Sequence, residues 1–171
     1  MSESPIKLLI LDVDGVLTDG TVFFDDQGRQ MRGFSIRDGL GIAMWRAVGG
    51  QAAILTSKRS ESILARARML GIDLVEAGED DKLPGFDRLL ERAGVTALET
   101  AYMGDDLLDA PVLRRVGYPM TVPGAPEEVR RLAKLVTSRD GGRGAVREAI
   151  EHLLRRQGLW ERAVAAVGAD R

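Results

Sequence analysis

Ile6-Lys7-Leu8-Leu9-Ile10-Leu11-Asp12-Val13-Asp14-Gly15-Val16-Leu17-Thr18 sets the architecture. An apolar, β-branched run over 6–11, closed by Asp-x-Asp-Gly, describes a buried central strand that ends in a loop. Similar strands are expected over 52–55, 74–76, 100–103 and 118–122, with a weaker one over 135–137. Helical spacing fills the intervals 39–48, 61–70, 86–93, 107–116, 127–133 and 145–157. Alternating strand and helix predicts an α/β fold, a mainly parallel sheet with helices on both faces, as one domain over 1–171. Residues 18–36 break the alternation: Val22-Phe23-Phe24, an Asp25-Asp26-Gln27-Gly28 turn and an apolar stretch over 31–36 read as a β-hairpin. Directly behind the first strand's carboxyl end, such a hairpin is either a flap over a site or a plain edge hairpin. The tail, 158–171, keeps Trp160, Val164, Ala165 and Val167 at helical spacing and is expected to dock.

Composition narrows the chemistry. Among 171 residues, 24 Lys and Arg face 26 Asp and Glu, so the net charge of −2 gives no reason to expect nucleic acid or a membrane surface as partner. There is no cysteine, which removes disulfides and thiolate chemistry and suits a reducing compartment. The start lacks a basic n-region and a long apolar core, so a cytoplasmic location is expected. With a single histidine, His152, placed among polar positions of the 145–157 helix and read as a surface residue, catalysis would fall to carboxylates.

Asp12 and Asp14 stand two apart at the end of an extended segment, where both side chains point to one side. Carboxylates held so close repel unless a cation or a shared proton relieves them, and Mg²⁺, a hard ion that takes oxygen ligands, is the natural relief. A solvated acidic turn is the other reading of the same residues. Gly104-Asp105-Asp106-Leu107-Leu108-Asp109 follows another apolar strand and would share the same carboxyl edge, with Asp105 completing the metal shell and Asp106 supporting it. Asp106 and Asp109 also suit helix capping. Thr56 and Ser57 end a strand before a helix and can hold a phosphate there, or act as an N-cap pair. Lys82 begins a helix, a place unfavourable for a cation unless a phosphate or carboxylate partners it.

Asp-x-Asp, then Thr, then Lys, then Gly-Asp-Asp in this order resembles the haloacid dehalogenase superfamily of phosphotransferases. The segments Asp12 to Gly20, Arg37-Asp38-Gly39-Leu40-Gly41-Ile42, Leu70-Gly71-Ile72, Tyr102 to Asp109 and Gly141 to Glu148 resemble its small capless phosphatases acting on 3-deoxy-D-manno-octulosonate 8-phosphate (KDO 8-phosphate). That resemblance implies a Rossmann-like three-layer domain without a separate cap, with Asp12 as nucleophile, Asp14 as general acid/base, and Thr56 and Lys82 on the phosphate. It implies Mg²⁺ on the Asp12 carboxylate, the Asp14 backbone carbonyl and Asp105. It also implies a homotetramer in which the hairpin, residues 22–34, and the 141–148 segment help close a neighbour's site. Thr56-Ser57-Lys58 replaces the family's usual Thr-Gly-Arg, which keeps the charge but loses the bidentate fork toward a sugar acid's carboxylate. Arg66 and Arg143 can reach a substrate carboxylate or phosphate, or serve as surface ion-pair partners.

Other expectations compete. A basic Lys58 favours the eight-carbon substrate over a nine-carbon keto-sugar acid 9-phosphate, whose phosphatases resemble this pattern with an acidic residue there. A receiver-like signalling domain also gathers acidic residues, Thr and Lys around Mg²⁺, but its early acidic pair is adjacent rather than Asp-x-Asp. A catalytically idle oligomeric scaffold would keep the fold without releasing phosphate.

Overall fold

The computed structural model describes residues 4–168. Its centre is β1 (Leu8–Leu11), whose four side chains have no solvent exposure. A helical turn over Val13–Leu17 follows, then a hairpin of β2 (Phe23–Phe24) and β3 (Gln30–Met31). The chain continues through α1 (Ile36–Ala47), β4 (Gln51–Thr56), α2 (Glu61–Leu70), β5 (Leu74–Ala77) and α3 (Lys82–Ala93). Next come β6 (Thr100–Met103), α4 (Ala110–Leu113), β7 (Tyr118–Thr121), α5 (Glu127–Arg130) and β8 (Leu135–Val136). Helices α6 (Ala145–Arg156) and α7 (Trp160–Ala166) complete it.

Six strands form one sheet in the order β5-β4-β1-β6-β7-β8, every neighbouring pair parallel. From β1 the chain winds outward through β4 to β5, then returns to β6 on the other side of β1 and winds outward again. The order therefore reverses between β1 and β6, and in such sheets the crevice beyond the carboxyl ends at the reversal is where ligands bind. Helices α1, α6 and α7 pack together and α3 packs with α4, giving the predicted α/β architecture of helices flanking a parallel sheet. No helix among the described residues is long and apolar enough to cross a membrane.

Several predicted elements changed length for local reasons. The 107–116 helix becomes a 3₁₀ turn at Leu107–Asp109 followed by the four-residue α4, with Pro111 near its start. The second hairpin strand stops at Met31 because Ser35, whose Oγ accepts from the Asp38 N–H at 3.3 Å, already caps α1. The tail does fold back: Ala163 is buried, and Leu159, Trp160 and Val164 pack on the core, while 169–171 lie outside the described residues. His152 is no free surface side chain. Its Nε2 lies 2.7 Å from the Tyr118 hydroxyl at the amino end of β7, away from the carboxyl edge.

Two glycines are demanded by close approach. Gly15 has φ 92°, and a Cβ there would lie 2.0 Å from Asp105 Oδ2, so any side chain would displace the Asp105 carboxylate. A Cβ on Gly141 would lie 1.9 Å from the Gly15 carbonyl oxygen, and Gly142 N–H donates to Val16 O at 3.0 Å. The 141–142 segment is thus a backing plate for the turn after β1.

The Asp38 carboxylate is buried and accepts from the Arg147 N–H at 2.8 Å, in the first turn of α6, whose own N-cap Gly144 has no side chain to offer. Burial pushes this carboxyl up against the pull of the Arg147 and Gly144 N–H groups. Asp38 therefore caps a helix distant in sequence and ties α1 to α6. Asp38→Ala should lower the free energy of unfolding by about 2 kcal/mol, read as an earlier urea midpoint with an unchanged slope. An unshifted midpoint would mean that α6 needs no cap from α1.

Candidate active site

Strands β1, β4 and β6 end side by side, and their exits carry Asp12, Thr56 and Asp105. Asp12 N–H donates to Met103 O at 3.0 Å, which extends the β1–β6 ladder to the first acidic residue. Helix α3 delivers Lys82 from the other side, its start fixed by Asp81, whose Oδ1 accepts from the Leu83 N–H at 3.1 Å. The cleft between them, about 150 Å³, is lined by Asp12, Asp14, Thr56, Ser57, Lys58, Lys82, Asp105, Asp106, Leu108 and Asp109.

Lys82 is the hub. Its side chain is only 3% exposed, and Nζ lies 3.1 Å from Asp12 Oδ1, 2.5 Å from Asp109 Oδ1 and 3.2 Å from the Tyr102 hydroxyl. Burial opposes the ammonium, but attraction by Asp12 and Asp109 outweighs it, so its pKa stands above the usual lysine range. Asp109 also accepts from the Tyr102 hydroxyl and, through Oδ2, from the N–H groups of Asp105 at 2.8 Å and Asp106 at 3.0 Å. One buried carboxylate therefore holds both the lysine and the loop that presents Asp105.

Charge does not balance here. The carboxylate oxygens of Asp12, Asp105 and Asp109 come within 4.8 Å of one another, and Lys82 answers only one of three negative charges. Burial, opposed by Lys82 and reinforced by Asp109, pushes Asp12 up to about 6. Burial and then the neighbouring charges of Asp12, Asp109 and Asp106 push Asp105 up to about 7. An all-oxygen set with surplus negative charge is what a hard divalent cation relieves. Asp12 and Asp105 are the better ligands, because Asp109's oxygens are already committed.

No family model matches the chain. It is 40% identical over 158 residues, 92% of this chain and 84% of the other, to the 3-deoxy-D-manno-octulosonate 8-phosphate phosphatase KdsC of Escherichia coli K12. The chain belongs to the KDO 8-phosphate phosphatase family. A solved phosphatase of this name from Moraxella catarrhalis, in complex with magnesium, phosphate and KDO, is 36% identical with a TM-score of 0.91, covering 95% of this chain and 93% of that one. A subfamily III A hydrolase of the haloacid dehalogenase superfamily from Legionella pneumophila, 38% identical, superposes with a TM-score of 0.92 over 95% of this chain and 89% of that one. The family is one of phosphoric monoester hydrolases, and the fold is the capless one expected from the motifs.

Against the residues that KDO 8-phosphate phosphatase resemblance singled out, the cleft gathers Asp12, Asp14, Thr56, Ser57, Lys58, Lys82 and Asp105. Asp14 differs from expectation in orientation. Its carboxylate lies outside the Asp12–Asp105–Asp109 trio because both oxygens meet the Arg32 guanidinium, at 2.7 and 3.1 Å. Thr56 is buried and its Oγ1 accepts from the Lys58 N–H at 3.3 Å, while the buried Ser57 hydroxyl has no protein partner. Two arginines lie elsewhere. Arg66 donates to Ser35 O at 2.8 Å and stacks over Phe34, bracing the entrance to α1. Arg143 is largely exposed, 3.5 Å from Asp19, in a second hollow that reaches Asp105 from the other side of the turn.

Three participants escaped the sequence. Asp109 suited a helix cap there as well as it suited the acidic cluster, and its place in that cluster was the usable signal. Tyr102 read only as a strand residue, and Arg32 only as part of the hairpin.

In the fold Asp12 and Asp105 titrate near 6 and 7 against 3.8 for a free side chain, so the folded protein retains protons that the unfolded chain releases. The stabilisation this brings is complete below pH 3.8 and fades as the pH rises through the raised values. In a chelating buffer the melting temperature should therefore fall from about pH 5 to about pH 8, and Asp105→Asn should flatten that slope. A melting temperature that climbs over this range would contradict the charge crowding.

Proposed function

We propose that this chain is a Mg²⁺-dependent phosphomonoesterase that hydrolyses KDO 8-phosphate to KDO and phosphate through an aspartyl-phosphate on Asp12. The observation that carries this is the buried Lys82 bridging Asp12 and Asp109 beside Asp105, at the sheet's point of reversal. A chain 40% identical to a curated KDO 8-phosphate phosphatase adds the substrate. Asp12, Asp105 and the Asp14 backbone carbonyl would hold Mg²⁺, which when bound neutralises phosphate oxygens and the surplus carboxylate charge.

Asp12 lies at the floor of the cleft, where a carboxylate oxygen attacks phosphorus as the bond to the sugar's terminal oxygen breaks. Asp14, in its acid form, gives that oxygen its proton. Then the Asp14 carboxylate takes a proton from water attacking the acyl phosphate, which frees phosphate and restores Asp12. Lys82 and Thr56 bind the phosphoryl oxygens, and Lys82 needs no reorganisation because Asp109 and Tyr102 already aim it. Ser57 and Lys58 at the cleft wall suit the sugar acid, with Arg143 on the outer rim. The chain works as one domain over 1–171, with hairpin 18–36 as a flap and 158–171 as the tail. Exposed Phe23, Phe24 and Met31 on the hairpin favour a homotetramer, and the lack of cysteine favours the cytoplasm.

Phosphate release from KDO 8-phosphate should need Mg²⁺ and stop with chelator. Asp12→Asn should cost at least roughly 10³-fold in kcat while the protein stays folded by circular dichroism. Turnover surviving in that variant would remove Asp12 as nucleophile. Phe24→Asp should shift the sedimenting species toward smaller assemblies, and an unchanged mass would take the hairpin out of the interface.

A further inference from the structure

Arg32 has no part in the reaction just described and does not line the cleft, yet it grips Asp14, which does. Its side chain is 1% exposed. Nε donates to Asp14 Oδ1 at 2.7 Å and Nη2 to Asp14 Oδ2 at 3.1 Å, a parallel two-bond fork. Nη1 turns the other way, to Gln30 Oε1 at 2.9 Å and the hydroxyls of Ser60 and Ser62 at 3.0 and 3.3 Å. One guanidinium thus joins the hairpin, the turn after β1 and the first turn of α2. Burying such a group costs several kcal/mol unless its donors are met, and here they are met chiefly by Asp14 and the α2 serines.

We infer that Arg32 is the positioning residue for Asp14, fixing the plane of its carboxyl group at the cleft. This rests on the assignment of Asp14 as acid and base made above. Held in one plane, the Asp14 carboxyl group need not rotate into line with the departing sugar oxygen, so the gain falls on the chemical step rather than on binding. Because Arg32 follows directly on β3, the hairpin's placement and the readiness of the acid are set by one side chain.

The test compares leaving groups. For Arg32→Ala, kcat/KM for KDO 8-phosphate should fall roughly 30- to 100-fold, carried by kcat, with KM within about threefold. With 4-nitrophenyl phosphate, whose phenolate departs without a proton, kcat/KM should stay within about threefold of the parent. Arg32→Lys should recover part of the loss, and Arg32→Ala added to Asp14→Asn should change nothing further. Equal losses on both substrates, or a full additional loss on the Asp14→Asn background, would make Arg32 a structural tether only. Should Arg32→Ala fail to fold, Arg32→Gln and Arg32→Lys carry the same comparison. If the parent protein leaves KDO 8-phosphate intact, or Asp14→Asn is fully active, the reading of the site falls first and the role of Arg32 with it.

Discussion

One ammonium set among three carboxylates governs this site. Lys82 emerges from the start of a helix, where the macrodipole opposes a cation, and is buried besides. Only Asp12 and Asp109 make that position tenable. Removing either would leave the buried ammonium with one carboxylate in place of two. Conversely, the carboxylates exceed the lysine in number, so the protein alone holds an unrelieved negative field where a metal ion and a phosphate would meet. The same arrangement therefore restrains the lysine and leaves a place for the ion.

Topology decides where this happens. Asp12 and Asp105 belong to loops far apart in sequence, but β1 and β6 are neighbours in register, Leu11 beside Met103, so their exits coincide. The absence of a side chain at residue 15 leaves room for the Asp105 carboxylate beside the turn after β1. Asp109 then stabilises the β6 exit by accepting from the N–H groups of Asp105 and Asp106. Arrangement of charge and arrangement of backbone are one design here.

Much of the fold could be read from local pattern, and the reasons are physical. Strands buried on both faces are unbroken apolar runs, and β1 could hardly be anything else. Asp12, Asp105 and Lys82 stood out because each follows a strand or opens a helix in a place where its charge needs a partner. What stayed hidden depends on contacts between distant elements. Nothing local says that Asp109 would turn inward to Lys82, that Tyr102 would meet it, or that Arg32 would cross from the hairpin to Asp14. Asp38 is similar, since its partner lies 109 positions away in α6. Element ends moved where a side chain competed with the backbone, as Ser35 does at α1. They also moved where a ring interrupts the helix, as Pro111 does in α4.

The glycine pair at 141–142 presses on the turn after β1 from close to the other end of the chain. Ribosomes build proteins from the amino end, so β1 and Asp12 are made before all the other strands of the main sheet. Residues 141–142 follow only after β8. A nascent chain can lay down its six strands first, yet the turn beside Asp12 would lack its backing until that glycine pair emerges. A product cut short just before the pair would keep the sheet without the support of that turn.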